Sequence, residues 1–521
     1  MTYRLAVAVA LLCGCLPPLA ASAMPADEAA RLLNRLGYGP APGDIDRLAT
    51  INRDDYFDQQ LHPVPEPDRL RDRLAALSTT RRNASSLFAE YGPVLRKLAK
   101  ADENAKREYR EDIRRVVEEA ESARLLRALY SPNQLQERLV DFWFNHFNVF
   151  DGKGIQGRLW VGPYEREAIR PYVFGHFRDL LGATAKHPAM LFYLDNWRSA
   201  ADGFRPRGGP EKGKAIGLNE NYAREVMELH TLGVDGGYTQ HDVTELARIL
   251  TGWTFDPRAM ASGDSAAGFV FAERRHDHGS KLFLGQRFGD DSMAEGERAL
   301  DLLARHPATA HHIAFELAQF FVAGAPPAAL VDRVAAAFTK TDGDLRATVR
   351  SLITSPEFLD ARASQFKTPY EFIVSSLRAT DVETASLRPA LGALRQMGQP
   401  LYGCATPDGW KNTQETRLNP GAMIQRINFA TALGSGRLPA LASALARVDF
   451  KSGADAGTMI QSAIEEDDRA ADTRKPQPLD VAVLQRTLGL ALSANTRETI
   501  AQAPAPLKAA LVLGSPEFMR R

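Results

Sequence analysis

Histidine and carboxylate side chains are this 521-residue chain's main means of doing chemistry, and eleven histidines are available. Their placement is uneven. Residues 217–255, GLNENYAREVMELHTLGVDGGYTQHDVTELARILTGWTF, hold the densest run of placed polar groups, with Asn219, Glu220, Asn221, Arg224, Glu225 and Glu228 just ahead of His230. Carboxylates such as Glu220, Glu225, Glu228 and Asp277 could share acid–base work, as in glycoside hydrolysis. A divalent metal would need imidazoles and carboxylates within about 2.0–2.2 Å of one ion. Glu225 or Glu228 with His276 and Asp277 is the candidate set. It would have to be assembled from several elements, because His-Glu-x-x-His and a two-copy Glu-x-x-His are both absent.

Other chemistries find less support. There is no Gly-x-Ser-x-Gly elbow, and Cys404 is a lone thiol with no basic neighbour to activate it. No Cys-x-x-Cys-His exists, so covalent haem attachment is not expected. Residues 200–217, AADGFRPRGGPEKGKAIG, form a basic Gly-rich stretch before a helix start. That stretch reads either as a surface loop or as an anion-cradling lid. It is not a nucleotide P-loop, since Gly213-Lys214 lacks the following Ser or Thr. Arg224 stands four residues from both Glu220 and Glu228. It is either part of a solvated salt-bridge ladder or, like Lys281, a grip for a substrate carboxylate or phosphate.

The elements that must position these residues read as helices. Asn219 is a good N-cap and Gly233 suits a left-handed helix end, with Tyr222, Ala223, Val226, Met227, Leu229 and His230 on one side. Thr239 with Asp242 predicts a capping box for a second helix whose buried stripe is Val243, Leu246, Ala247 and Leu250. The tight turn between makes the pair an αα-hairpin. Ser131-Pro132-Asn133-Gln134 opens a helix whose stripe, Leu135, Leu139 and Phe142, carries His146 on its apolar face. That histidine is either a hydrogen-bonded core residue or a functional group oriented by Asn145 and Asn148. Residues 101–130, crowded with charges at i,i+4 spacing, predict a long solvated helix. Residues 269–284 alternate like strands around His276, Asp277 and His278, predicting one small β-hairpin. Ser-Pro-Glu-Phe occurs at both 355–358 and 515–518, each after an apolar helix. The fold class is therefore mainly α, a large multi-helix domain with one small hairpin.

The whole chain narrows the class further. Its 64 basic and 64 acidic side chains balance, so charge gives no case for a nucleic-acid partner. Residues 1–23 read as a signal peptide: Arg4, an apolar core over 5–12, and Ala21-Ser22-Ala23 for cleavage. A lipid attachment near Cys13 and Cys15 is the rival reading. The remaining chain, 24–521, then holds one cysteine and no apolar run long enough to span a membrane. It is expected to form a single large helical domain with possible lobes at 24–215 and 216–521. The expected location is periplasmic or extracellular. Residues 451–478, polar and Asp/Ala-rich, read as an excursion, and the irregular loop from 403 to 420 carries Trp410.

NENYAREVMELHTLG followed by YTQHDVTELARILTGWTF resembles the central signature of the bacterial family known as domain of unknown function 1800. FWFNHFNVF at 142–150, HPAMLFYLDNWRS at 187–199, HDHGSKLFLG at 276–285, HPATAHHIAFELAQFFV at 306–322, SPEF at 355–358 and PDGW at 407–410 follow the same order. The resemblance brings no activity with it. It implies an exported protein and a partner from the domain of unknown function 1501 family.

From these residues the expected function is binding of a ligand or partner through a polar pocket. Asn145, His146, Asn219, Glu220, Asn221, Arg224, Glu225, His276, Asp277 and Lys281 are its candidate lining. The rival is a metal-assisted or carboxylate-based hydrolase acting on an envelope or extracellular polymer. A third reading has the polar blocks only tying helices together.

Overall fold

Amphipathic spacing accounts for most of the architecture. The computed structural model describes residues 23–94, 102–206, 212–360, 365–381, 386–413, 420–438 and 478–521. The predicted cleavable segment, save Ala23, and the excursion over 451–477 lie outside these residues. Helix α1 (Ala26–Leu36) buries Leu32, Leu33 and Leu36. Helix α2 (Glu103–Tyr130) is solvated only in its first half. From Ile113 onward it buries Val116, Ala120, Leu125 and Leu129, and even Glu121 and Arg124. The i,i+4 charge pattern is misleading there, because the charged heads end in buried ion pairs.

Helix α3 (Gln134–His146) follows its predicted stripe but not its predicted cap. Asn133 stands at the cap position, yet its amide grips Val64 instead, donating to its carbonyl at 2.7 Å and accepting from its N–H at 2.9 Å. Helix α4 (Ile155–Tyr164) contains Pro163 and runs into a wider-wound turn, Glu165–Ile169. Proline cannot donate a backbone hydrogen bond, and such widened turns re-aim side chains. Here the turn sends Glu165 inward.

The αα-hairpin consists of α5 (Asn221–Glu228) and α6 (Gln240–Ile249). Asn219 lies two residues before α5 and accepts the Asn221 N–H at 3.0 Å. The helix stops at Glu228 rather than running to Gly233, which does adopt a left-handed φ of 83°. The Thr239–Asp242 capping box forms in both directions at 2.9 and 3.3 Å, and the predicted stripe of α6 is buried.

The strands pair differently from the expected single hairpin. Val270–Phe271 (β2) pairs antiparallel with Trp253–Thr254 (β1), and Lys281–Phe283 (β3) with Gln286–Phe288 (β4). The Leu284-Gly285 turn, both residues at positive φ, closes β3 onto β4 at once. That leaves 270–271 to find a partner in the segment after α6.

Helices α7 (Met293–Ala304), α8 (Pro307–Phe321), α9 (Ala328–Lys340), α10 (Leu345–Ile353), α11 (Pro369–Thr380), α12 (Pro420–Gly434) and α13 (Ala505–Leu513) complete the elements used below. Ser355 and Ser515 each accept an N–H three residues on, at 3.2 and 3.1 Å, and bury Phe358 and Phe518. The repeated motif thus marks the same local turn twice. One apolar core runs from Met24 to Met519, with a satellite of Leu70, Leu74, Ala123 and Leu126 beneath α2. Among the described residues no helix is long and apolar enough to cross a membrane.

Candidate functional site

The C-terminal turn of α3 carries the site. Phe142 and Trp143 are buried and fix the helix in the core, and Trp143 packs on His146 with ring centroids 5.3 Å apart. His146 is enclosed between two oxygens: Nδ1 lies 2.5 Å from Glu316 Oε2 on α8, and Nε2 lies 3.2 Å from the His230 carbonyl. A carbonyl only accepts, so the contact to His230 is made by an Nε2 that bears hydrogen, and Nδ1 faces the carboxylate. Burial raises the Glu316 carboxyl. The His146 ring, by charge and hydrogen bond, outweighs burial and holds it below the usual carboxylate range. His312 joins from α8, its Nε2 3.1 Å from the Leu229 carbonyl and 3.7 Å from Glu316 Oε1. His230 is driven well below its ordinary value by burial, then by the neighbouring His146 and His312, and so stays neutral.

A loop closes over this group. Tyr402, at its base, holds a φ of 57°, a left-handed conformation that costs a bulky residue about 1–3 kcal/mol. The Tyr402 hydroxyl donates to Glu165 at 2.9 Å, which holds the ring in place. Asn148 donates to the carbonyls of Cys404 and Thr406 at 3.0 and 2.8 Å. Asn145 acts as a two-way clamp, donating to the Trp410 carbonyl at 3.0 Å and accepting the Trp410 N–H at 2.7 Å. Gly409, with φ 65°, makes that approach possible, since a Cβ there would lie 2.4 Å from the Asn145 carbonyl oxygen. The two asparagines thus hold a loop, where an imidazole or ligand was expected.

Beneath the loop is a cleft of about 150 Å³ lined by Phe142, Asn145, His146, Leu229, Glu316, Gln319, Asp408, Trp410, Lys411 and Asn412. Lys411 pairs with Asp408 at 2.5 Å. Glu225 on α5 is half-buried near the loop. Burial, then Glu228 and Asp408, raise its carboxyl. A smaller inner chamber of about 30 Å³ lies on the far side of Asn145 and Trp410, with Arg124, Asp141, Tyr370 and Cys404 in its wall.

Behind the chamber runs a buried ionic network that fixes α3 along its length. Arg124 pairs with Asp141 at 2.5 Å and with Glu165 at 3.4 Å, and Arg170 with Glu137 at 2.7 Å. Glu371 on α11 takes both Arg138 at 2.5 Å and Arg521 at 2.8 Å. Arg138 also lies over the Phe320 ring, 4.5 Å from its centroid. Each charge has an opposite partner, as burial demands.

Of the residues singled out in the sequence, Asn145 and His146 line this cleft, and Glu225 stands near it. Asn219, Glu220, Asn221 and Arg224 are not in its lining. Arg224, half-exposed, lies 3.3 Å from Glu220 and 2.8 Å from Gln240 and ties them at the surface. Glu228 makes no ion pair among the described residues.

His276, Asp277 and Lys281 belong to a separate structural knot. His276 Nδ1 lies 2.9 Å from the Thr251 carbonyl and Nε2 3.3 Å from Glu295. Lys281 Nζ reaches Glu295 at 2.6 Å, while Asp277 takes Arg248 in a bidentate pair at 2.9 and 3.0 Å. None of these partners is Glu225 or Glu228. Among the described residues no group of three or more His, Cys, Asp or Glu stands in metal-holding geometry. The described part of the 200–217 loop is pinned by the Phe204–Ile216 bridge, and none of it lines the cleft.

Glu316, His312 and Asp408 join the site from outside the sequence candidates, although the sequence marks two of them: Glu316 is the lone acid on the apolar helix of the 306–322 block, and Asp408 lies in Pro-Asp-Gly-Trp. A family model described as "Protein of unknown function (DUF1800)" matches residues 31–520. No curated protein and no solved structure matches the chain.

Proposed function

The chain belongs to the DUF1800 family, and from that premise, which brings no activity with it, we propose that the protein binds a small polar ligand in the cleft beneath the Trp410 loop. The supporting observation is the Asn145 clamp: it fixes an aromatic loop over a carboxylate, Glu316, that His146 keeps ionised. A rigid apolar wall beside a few oriented polar groups is the general form of a small-molecule site. The test is a thermal-shift screen of small polar metabolites against the protein and its Glu316→Gln and Trp410→Ala variants. Compounds that raise the melting temperature of the parent should lose that effect in both variants. If no compound raises it, or the shifts persist in the variants, the cleft is not a binding site.

A second reading, acid–base catalysis, is favoured by the 2.5 Å contact between His146 Nδ1 and Glu316. It predicts turnover of a chromogenic ester or glycoside that disappears in Glu316→Gln. Export by the N-terminal segment, and a partner from the domain of unknown function 1501 family, complete the proposal. Both fit a ligand met outside the cytoplasm. Fractionation of cells producing the full chain, followed by N-terminal sequencing, would test export. A chain retained with its first residues intact would refute it.

A further inference from the structure

We infer that the group taken by the Trp410 cleft is a neutral polyhydroxylated ring, a single sugar unit; this rests on the binding reading above. The first argument is charge. The lining's charged groups already have partners: Glu316 faces His146 Nδ1 at 2.5 Å, and Asp408 pairs with Lys411 at 2.5 Å. An ionic ligand would lose its hydration without meeting an uncompensated opposite charge, which is unfavourable.

The second argument is the balance of donors and acceptors. Asn145 is spent at both ends on the Trp410 backbone. The Gln319 amide donates to the Gly324 carbonyl at 3.0 Å, which leaves its oxygen. Glu316 Oε1 stands 3.7 Å from His312, beyond hydrogen-bond range. Carboxylate and amide oxygens accept and cannot donate. At Glu316 and Gln319 the ligand must therefore bring donors, which the hydroxyls of a neutral ligand supply.

The third argument is the apolar part of the lining. The carbon surfaces of Phe142, Leu229 and Trp410 line the same space and suit the C–H face of a ring. The cleft is open to solvent, and its volume, about 150 Å³, gives room for no more than about one six-membered ring. A ring with hydroxyl edges and C–H faces satisfies all three.

The experiment is saturation-transfer NMR on the full chain with glucose, galactose and N-acetylglucosamine, and with putrescine and succinate as charged comparators. At least one sugar should bind and weaken about tenfold or more in Glu316→Gln. It should also weaken in Gln319→Ala, which replaces a half-exposed side chain and leaves the His146 pair intact. Circular dichroism of each variant checks the fold. Sugar binding that ignores both substitutions would overturn the assignment by placing the sugar elsewhere. Putrescine or succinate binding with the same dependence, and no sugar binding, would overturn this inference and leave the cleft reading standing. No binding by any of the five would count against both.

Discussion

Glu316 is the residue on which the site's chemistry turns. Its carboxylate is partly exposed to the cleft on one side and lies 2.5 Å from His146 Nδ1 on the other. Glu316→Gln keeps the shape but removes the charge that faces His146. Because the carboxylate is partly solvated, the cost should be modest, about 1 kcal/mol, read as a shift in urea midpoint at neutral pH. A loss several times larger would mean that the pair is a structural keystone. By contrast, the knot of His276, Lys281 and Glu295 is fully enclosed. Glu295→Gln should cost about 3 kcal/mol or more, since it strands a buried ammonium. It should leave ligand binding in any folded fraction unchanged. The sequence marks both groups alike, as histidines beside acids, and only burial and partner choice separate them.

At the scale of elements, the loop from 402 to 413 is set by α3 rather than by its own residues. Gly409→Ala adds a methyl against the Asn145 carbonyl oxygen as well as left-handed strain, whereas Gly285→Ala, with φ 73° and nothing within 4 Å, adds strain alone. The strain is worth about 1 kcal/mol in each. Gly409→Ala should therefore be the more destabilising of the two. Hydrogen exchange should speed up over 403–413 in that variant only. Equal stability losses, with no local change in exchange, would mean that the clamp does not hold the loop.

Across the whole molecule the buried titrating groups give stability a definite pH dependence. Burial, only partly offset by Arg395 at 2.6 Å, raises the Glu121 carboxyl to about 7. A group with a raised folded value contributes stability fully below its unfolded value and loses it as pH climbs through the folded one. Glu121 therefore weakens the fold between about pH 4.5 and 7, by about 1.4 kcal/mol per unit across that window. His230 acts in the other direction. Its depressed value leaves stability intact above about 6.5 and removes it as pH falls below. Thermal melts of the parent and Glu121→Gln from pH 5 to 8 isolate the first effect. The variant should gain on the parent as pH rises, and a constant gap would refute the assignment.

What the sequence determined by itself is local: the Thr239–Asp242 box, the stripes of α5 and α6, the Ser-Pro-Glu-Phe turns and the mainly helical class. Each depends on residues a few positions apart, whose spacing alone decides which face is buried. Even there α2 misled, because charged side chains look solvated until their distant partners are known. The site is another matter. His146 meets Glu316 across 170 residues and Asn145 meets Trp410 across 265. Which histidine meets a carboxylate, which asparagine holds a loop and which carboxylate faces a cleft were decided by the packing of α3, α5 and α8. Hydrogen bonds and ion pairs act over a few ångströms, and only the folded chain brings such distant residues that close.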